Sequence, residues 1–179
     1  MADHLKRQKR KKLLLYIVAF IVFQSIVIAI FALTVLKVKR PKFRVAAASF
    51  ETYNVSASSL EMKMNARLGV KNTNFGPYKF DNSTITFFYK GTQVGSASVP
   101  KSTAKFQSTK RFNVTINLSS TSSDLATDYG SGILQLSSSS RLTGKVELML
   151  VMKKKKATNM NCTMDFHIQS GQLQNLNCK

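Results

Sequence analysis

The chain offers few side chains for covalent or metal chemistry. Of its 179 residues, two are histidine and two are cysteine. His4 lies in a basic N-terminal stretch and His167 lies in the segment CTMDFHI, with no further metal-binding type of ligand beside it. No Ser–His–acid arrangement suggests itself, and the seven acids after residue 44 are too scattered for a carboxylate pair. Gly91 and Gly95 are spaced for a hairpin and not for a phosphate loop. This equipment argues against an enzyme and calls for no cofactor and no metal. Modification and cross-linking chemistry remain. N-glycan acceptor triplets begin at Asn54, Asn82, Asn113, Asn117 and Asn161. Ser and Thr are frequent enough for about two such triplets to arise by chance. Cys162 and Cys178 lie in strands CTMDFHI and QLQNLNC, which flank Gln169-Ser170-Gly171 as a hairpin. Folding at Ser170 sets the cysteines opposite each other, about 4.5 to 5.5 Å apart and within disulfide range. Two separate thiols are the alternative, favoured if this part of the chain faces the cytosol.

The elements that must position these residues begin with an apolar run. Residues 13–36, LLLYIVAFIVFQSIVIAIFALTVL, carry no charge, and 17 of the 24 are Leu, Ile, Val or Phe. A helix of that length spans about 36 Å, against a hydrocarbon core of about 30 Å. The apolar residues favour insertion by about 5 to 10 kcal/mol, far more than Gln24 and Ser25 cost. A cleaved signal peptide is the competitor. Its apolar region is shorter, about 7 to 15 residues, and small residues follow it closely. Here the exit is KVKRPKFR, and Ala46-Ala47-Ala48 lies well beyond it. A permanent single-pass anchor is the expectation.

Six basic residues precede the run and five follow it, so charge bias is nearly balanced. The tighter cluster is N-terminal, which puts the N-terminus in the cytosol and the remainder outside. The sequons and both cysteines, all beyond the run, agree. The organisation expected is a basic cytosolic tail at 1–12, a transmembrane helix at 13–36, a basic juxtamembrane linker at 37–44 and one domain at 45–179. That domain has a net charge of +9. Beside a bilayer it suits anionic lipid headgroups or acidic polysaccharide, with further anionic lipid contact through the basic flanks. Nucleic acid is a poor partner outside the cell.

Beyond residue 44 the period is two. Leu60, Met62, Met64, Ala66, Leu68 and Val70 alternate with polar or small residues, a strand with one buried face. Asn74-Phe75-Gly76-Pro77 breaks it. STITFFY at 83–89 and residues 93–99 form a hairpin around Lys90-Gly91-Thr92, ended by Pro100. Phe112, Val114, Ile116 and Leu118 form another inward row, leaving Asn113 and Asn117 outward. Ser123 is expected to cap a short helix that carries Leu125 and Tyr129 on one face and stops at Gly130 and Gly132. The Ser-rich stretches 119–123 and 137–140 read as loops. Strands resume at 133–137 and 142–153, with Val146, Leu148, Leu150 and Met152 on one face and Met149 and Val151 on the other. Lysines 153–156 read as a connection to the last hairpin. About seven short antiparallel strands and one short helix predict a two-layer β-sandwich, a mainly β fold.

The stretch VKNTNFGPYKFDNSTITFFYKGTQVGSASVP resembles the signature region of the plant late embryogenesis abundant group 2 proteins. These include the harpin-induced-like membrane proteins of the hypersensitive response. The residues that match are Asn72, Asn74, Tyr78, Asp81, Tyr89, Gly91 and Gly95, while Thr73 stands where the family pattern has Pro. The resemblance implies an immunoglobulin-like or fibronectin-III-like antiparallel sandwich behind a single N-terminal transmembrane helix. It implies no enzyme. It implies attachment to the plasma membrane, with the endoplasmic reticulum as the alternative, and a role in stress or defence at the cell surface. The partner would be a membrane protein, a wall polymer or an apoplastic ligand. The second reading is a lipid-handling module, with Met62, Met64, Met149, Met152 and Met164 lining a groove between the sheets.

Overall fold

The computed structural model describes residues 2–35, 37–148 and 152–179. Leu36, Met149, Leu150 and Val151, read above as the end of the span, strand residues and part of a groove, lie outside the described residues. The chain divides into two compact units, Met1–Val38 and Lys39–Lys179.

The first unit is one helix, α1 (Ala2–Val35), so the basic tail and the apolar run share a single element. Within it, Arg10–Thr34 has a mean hydropathy of 2.8 and no buried side chains. An apolar helix without a packed face needs lipid or another protein around it. Its position fits a membrane anchor or a signal sequence. The polar side chains are quieted locally: Ser25 Oγ donates to the Ile21 carbonyl at 2.8 Å, and Thr34 Oγ1 to the Ile30 carbonyl at 2.8 Å.

The second unit opens with β1 (Lys42–Val55), β2 (Ser59–Lys71), β3 (Tyr78–Phe80), β4 (Ser83–Tyr89) and β5 (Thr92–Val99). It continues through β6 (Ser102–Ala104), β7 (Thr109–Thr121), α2 (Leu125–Ser131), β8 (Ile133–Leu148), β9 (Met152–His167) and β10 (Gln172–Cys178). One antiparallel sheet has the order β1-β2-β7. The other runs β10-β9-β8, and the far edge of β8 is shared by two collinear short strands. β4 pairs with residues 136–140 and β3 with residues 144–146, each carrying a further partner, β5 and β6.

Alternation explains the packing. Every second residue of β2 from Leu60 to Val70 is buried, as is every second residue of β8 from Leu134 to Leu148. Both rows point into the core between the two sheets. Phe50 and Tyr53 of β1 meet Phe166 of β9 edge-on, with ring centroids 4.5 and 5.1 Å apart. The result is the mainly β, two-sheet antiparallel architecture expected from the sequence.

Several elements depart from the sequence reading. β1 has no clean alternation and was not expected; it starts at Lys42, inside the segment read as linker, and buries Phe43 and Val45. Residues 137–140 are not a loop but the middle of β8, held between β4 and β9. Ser119 and Ser120 likewise belong to β7, which runs on to Thr121. Lysines 153–156 are not a connection but strand residues of β9 paired with residues 144–147 of β8. Met152 is exposed and does not continue the inward row of Val146 and Leu148. Asp124, not Ser123, occupies the N-cap of α2 and makes no capping bond through its side chain. Its own N–H instead reaches Ser122 Oγ at 3.2 Å.

Candidate functional site

Four of the family-type residues, Asn72, Asn74, Tyr78 and Asp81, lie toward the end of the sandwich where the chain enters it. Asn72 closes β2 and is buried, with 1% of its surface exposed. Its Nδ2 group serves the carbonyls of Gly76 at 2.8 Å, Lys105 at 3.0 Å and Ala104 at 3.2 Å. Its Oδ1 accepts from both the N–H and the Nδ2 of Asn74, each at 3.0 Å. The first of these closes an Asx turn, which holds the loop without the proline that Thr73 replaces. Asn74, also buried, completes the network outward. Its Oδ1 accepts from the Lys39 N–H at 2.6 Å and its Nδ2 donates to the Lys39 carbonyl at 2.9 Å. Two side-chain amides thus join the incoming segment, the β2 end and the loop before β7, and leave few buried polar groups unpaired.

Gly76 sits in the same loop for a steric reason. A Cβ there would lie 1.8 Å from the Glu147 carbonyl oxygen. The bare backbone lets the Glu147 N–H reach the Pro77 carbonyl at 3.0 Å. Tyr78 follows, fully buried, with its hydroxyl donating to the Lys156 carbonyl at 3.0 Å. Burial, and then the nearby Asp81 charge, pushes its hydroxyl from 10.0 up to about 12. Asp81 itself is exposed and its backbone N–H pairs with the Thr143 carbonyl at 3.0 Å. Lys79 reaches Glu147 at 2.7 Å, and the hydrogen bond it donates holds that carboxyl below its usual value. Gly144 carries no Cβ because one would meet the Lys79 carbonyl oxygen at 2.4 Å.

At the opposite end of β4, Tyr89 is buried and donates to Asp128 Oδ2 of α2 at 2.8 Å. Lys90 reaches the other carboxylate oxygen at 3.1 Å. Burial first, and then the bond to Asp128, raises the Tyr89 hydroxyl well above its usual range. Lys90 and Gly91 have φ of 45° and 84°, the left-handed pair of a two-residue hairpin turn. Gly95 marks a close approach of the two sheets, since a Cβ there would lie 2.6 Å from the Asn117 carbonyl oxygen of β7. Asp128, Gly76 and Gly144 are the members of these arrangements that sequence reasoning missed. Only a partner on another element reveals their roles.

Cys162 and Cys178 are joined as a disulfide with a Cα separation of 4.1 Å. The hairpin folds half a residue earlier than expected, since Gln172 opposes His167. An irregularity between Gln174 and Asn177, with Asn175 at φ 51°, restores the register that sets Cys178 opposite Cys162. Asn54, Asn82, Asn113, Asn117 and Asn161 are all exposed. His167 is half-buried on the face away from Cys162, and among the described residues no group of three His, Cys, Asp or Glu forms a metal cluster. Met62, Met64 and Met164 are buried in the packing between the sheets.

These features define a class: a β-sandwich stitched at one end by side-chain amides and at another by a disulfide, preceded by an apolar helix. The family model described as late embryogenesis abundant protein, group 2, matches residues 67–164, more than half of the chain. The chain belongs to that family. A late embryogenesis abundant protein of Arabidopsis thaliana is 26% identical over 171 residues, covering 87% of this chain and 79% of the relative. Among solved structures, the solution structure of a protein from Arabidopsis thaliana is 16% identical, covers 70% of this chain and 82% of its own, and has a TM-score of 0.44. A crystal structure of a protein from Archaeoglobus fulgidus is 13% identical, with coverages of 66% and 94% and a TM-score of 0.34. Likenesses at these scores carry no argument, and the architecture rests on the strand pairings.

Proposed function

We propose that the protein is a non-enzymatic, membrane-anchored sandwich that acts in stress or defence responses at the plant cell surface. The helix holds the chain in the plasma membrane with its N-terminus in the cytosol, and the sandwich faces the outside. There it presents its surface to another membrane protein, a wall polymer or an apoplastic ligand. One observation carries this reading. Asn74 binds the backbone of Lys39, so the folded second unit starts only three residues of sequence past the apolar run. A domain tethered so closely works on partners at the bilayer surface. The exposed sequons and the disulfide support an oxidising, lumenal side.

The test is a glycosidase mobility shift on protein from its native host. A downward shift is expected, and it disappears when Asn113 and Asn117 are both replaced by Gln if those two carry the glycans. Absence of a shift from all five acceptors counts against the outward orientation.

A further inference from the structure

β8 and β9 place positive charge where the fold gains nothing from it. Lys145 of β8 stands directly opposite Lys155 of β9. Like charges opposed on antiparallel strands repel and lower stability. Lys156 follows on β9, and Arg141 lies further along β8. A cavity of about 580 Å³ is lined by Arg40, Arg141, Lys155, Lys156, Thr158 and Asn159. A neighbouring cavity of about 570 Å³ shares Lys155 and Lys156 and adds Lys145, but also Asp81. The acid lowers the attraction for anions there, so the positive centre lies at the Arg40 and Arg141 end.

Three other acids of the domain are engaged elsewhere. Glu51 pairs with Lys63, Asp128 with Lys90, and Glu147 with Lys79 and Lys153. Among the described residues no acid lies within ion-pair distance of Arg40, Arg141, Lys145, Lys155 or Lys156. One structural reason for lysines here is edge protection. The side of β9 away from β8 has no strand partner before Cys162 among the described residues, and lysines discourage pairing with another chain. That accounts for the β9 lysines alone. It does not account for Arg40, from the segment before β1, and Arg141, from β8, converging on the same hollow.

We propose that this cavity binds the phosphate of an anionic lipid headgroup in the outer leaflet of the membrane that holds α1. Two guanidinium groups offer paired N–H donors to phosphate oxygens, and two ammonium groups add point charge. Thr158 and Asn159 supply neutral donors at the rim. A membrane source follows from tether length: Arg40 lies four residues beyond Leu36, about 14 Å of chain at most. This step deepens the anchored reading and rests on it for the source of the ligand.

The experiment uses the full chain in a neutral detergent. Fluorescent short-chain phosphatidylglycerol and inositol phosphorylceramide are titrated by anisotropy, with phosphatidylcholine, inorganic phosphate and oligogalacturonate as comparators. Both anionic lipids bind and phosphatidylcholine does not. The variant Arg141→Gln/Lys155→Gln/Lys156→Gln loses about tenfold in affinity, whereas Lys101→Gln/Lys110→Gln/Arg111→Gln, which removes equal charge elsewhere, changes it by less than about twofold. Equal losses in the two variants overturn the site, as does tighter binding of oligogalacturonate or free phosphate than of lipid. Should the first variant aggregate through its unprotected edge, Arg141→Gln alone decides: about threefold weakening supports the site and unchanged affinity overturns it. Binding in detergent does not depend on anchoring. Release of the protein from membranes by alkaline carbonate therefore sinks the anchor without touching this result.

Discussion

Asn74 grips Lys39 by both polar atoms of its backbone, accepting from the N–H at 2.6 Å and donating to the carbonyl at 2.9 Å. A side chain thereby imitates one rung of a β-ladder. It does so three residues before β1 begins at Lys42. Asparagine suits the place because it presents a donor and an acceptor on a short stem; aspartate lacks the donor and alanine lacks both.

Replacing Asn74 by Ala or Asp is expected to lower stability by about 2 to 4 kcal/mol, since Ala loses three side-chain bonds and Asp two, and buried groups are left unpaired. Thermal unfolding of the full chain in detergent measures this. Limited trypsinolysis should also cut faster after Lys39 in the variants, since Pro41 protects the bond after Arg40. An unchanged unfolding midpoint would count against the clamp.

Gly76 and Gly130 make a contrasting pair. A Cβ at Gly76 would meet the Glu147 carbonyl oxygen at 1.8 Å, while one at Gly130 has nothing within 4 Å. Gly76→Ala should cost about 3 kcal/mol or prevent folding, because backbone must shift. Gly130→Ala lies inside α2 and should add about 0.5 to 1 kcal/mol. Denaturant midpoints of the two variants should move in opposite directions.

The buried tyrosines set an alkaline limit. The neutral Tyr78 hydroxyl is favoured in the fold, with its value raised from 10.0 to about 12. A raised value contributes stability below the unfolded value and loses it as pH rises through the folded one. Stability is therefore full below about pH 10 and declines from there toward about 12. Absorbance at 295 nm should show two tyrosines that ionise only with unfolding. Tyr89→Phe should cost about 1.5 kcal/mol at neutral pH, because its bond is to a carboxylate, and should raise the pH at which unfolding begins.

Opening the Cys162–Cys178 bridge should remove about 3 kcal/mol, the value for a loop of this size. Reduced and oxidised protein compared by thermal melting in one buffer test it. Cys162 is 1% exposed while Cys178 is half-buried, so a reducing thiol should attack at the Cys178 sulfur.

Much of the second unit is legible in single strands. The alternation from Leu60 to Val70 marks a buried face, and Lys90-Gly91 marks the turn from β4 to β5, because both signals are local. The cysteine pairing is legible too, although the bulge at Asn175 that sets its register is not. Ser138 and Ser140 mislead because a run of serines resembles a loop. Their strand is imposed from both sides by β4 and β9, and Ser140 Oγ is satisfied by the Thr84 carbonyl at 2.8 Å. β1 hides for a related reason: bulges after Val45 and Phe50 shift its phase, so no period survives in the sequence. The family pattern singles out Asn72 and Asn74, but their purpose appears only when Lys39, Gly76 and Lys105 are brought to them from elsewhere in the chain.

The central claim is that the apolar helix holds a folded sandwich on a membrane. Alkaline carbonate extraction of membranes from cells expressing the full chain tests it most directly. The protein should stay in the pellet with integral markers. Recovery of the intact, full-length chain in the supernatant would contradict the account.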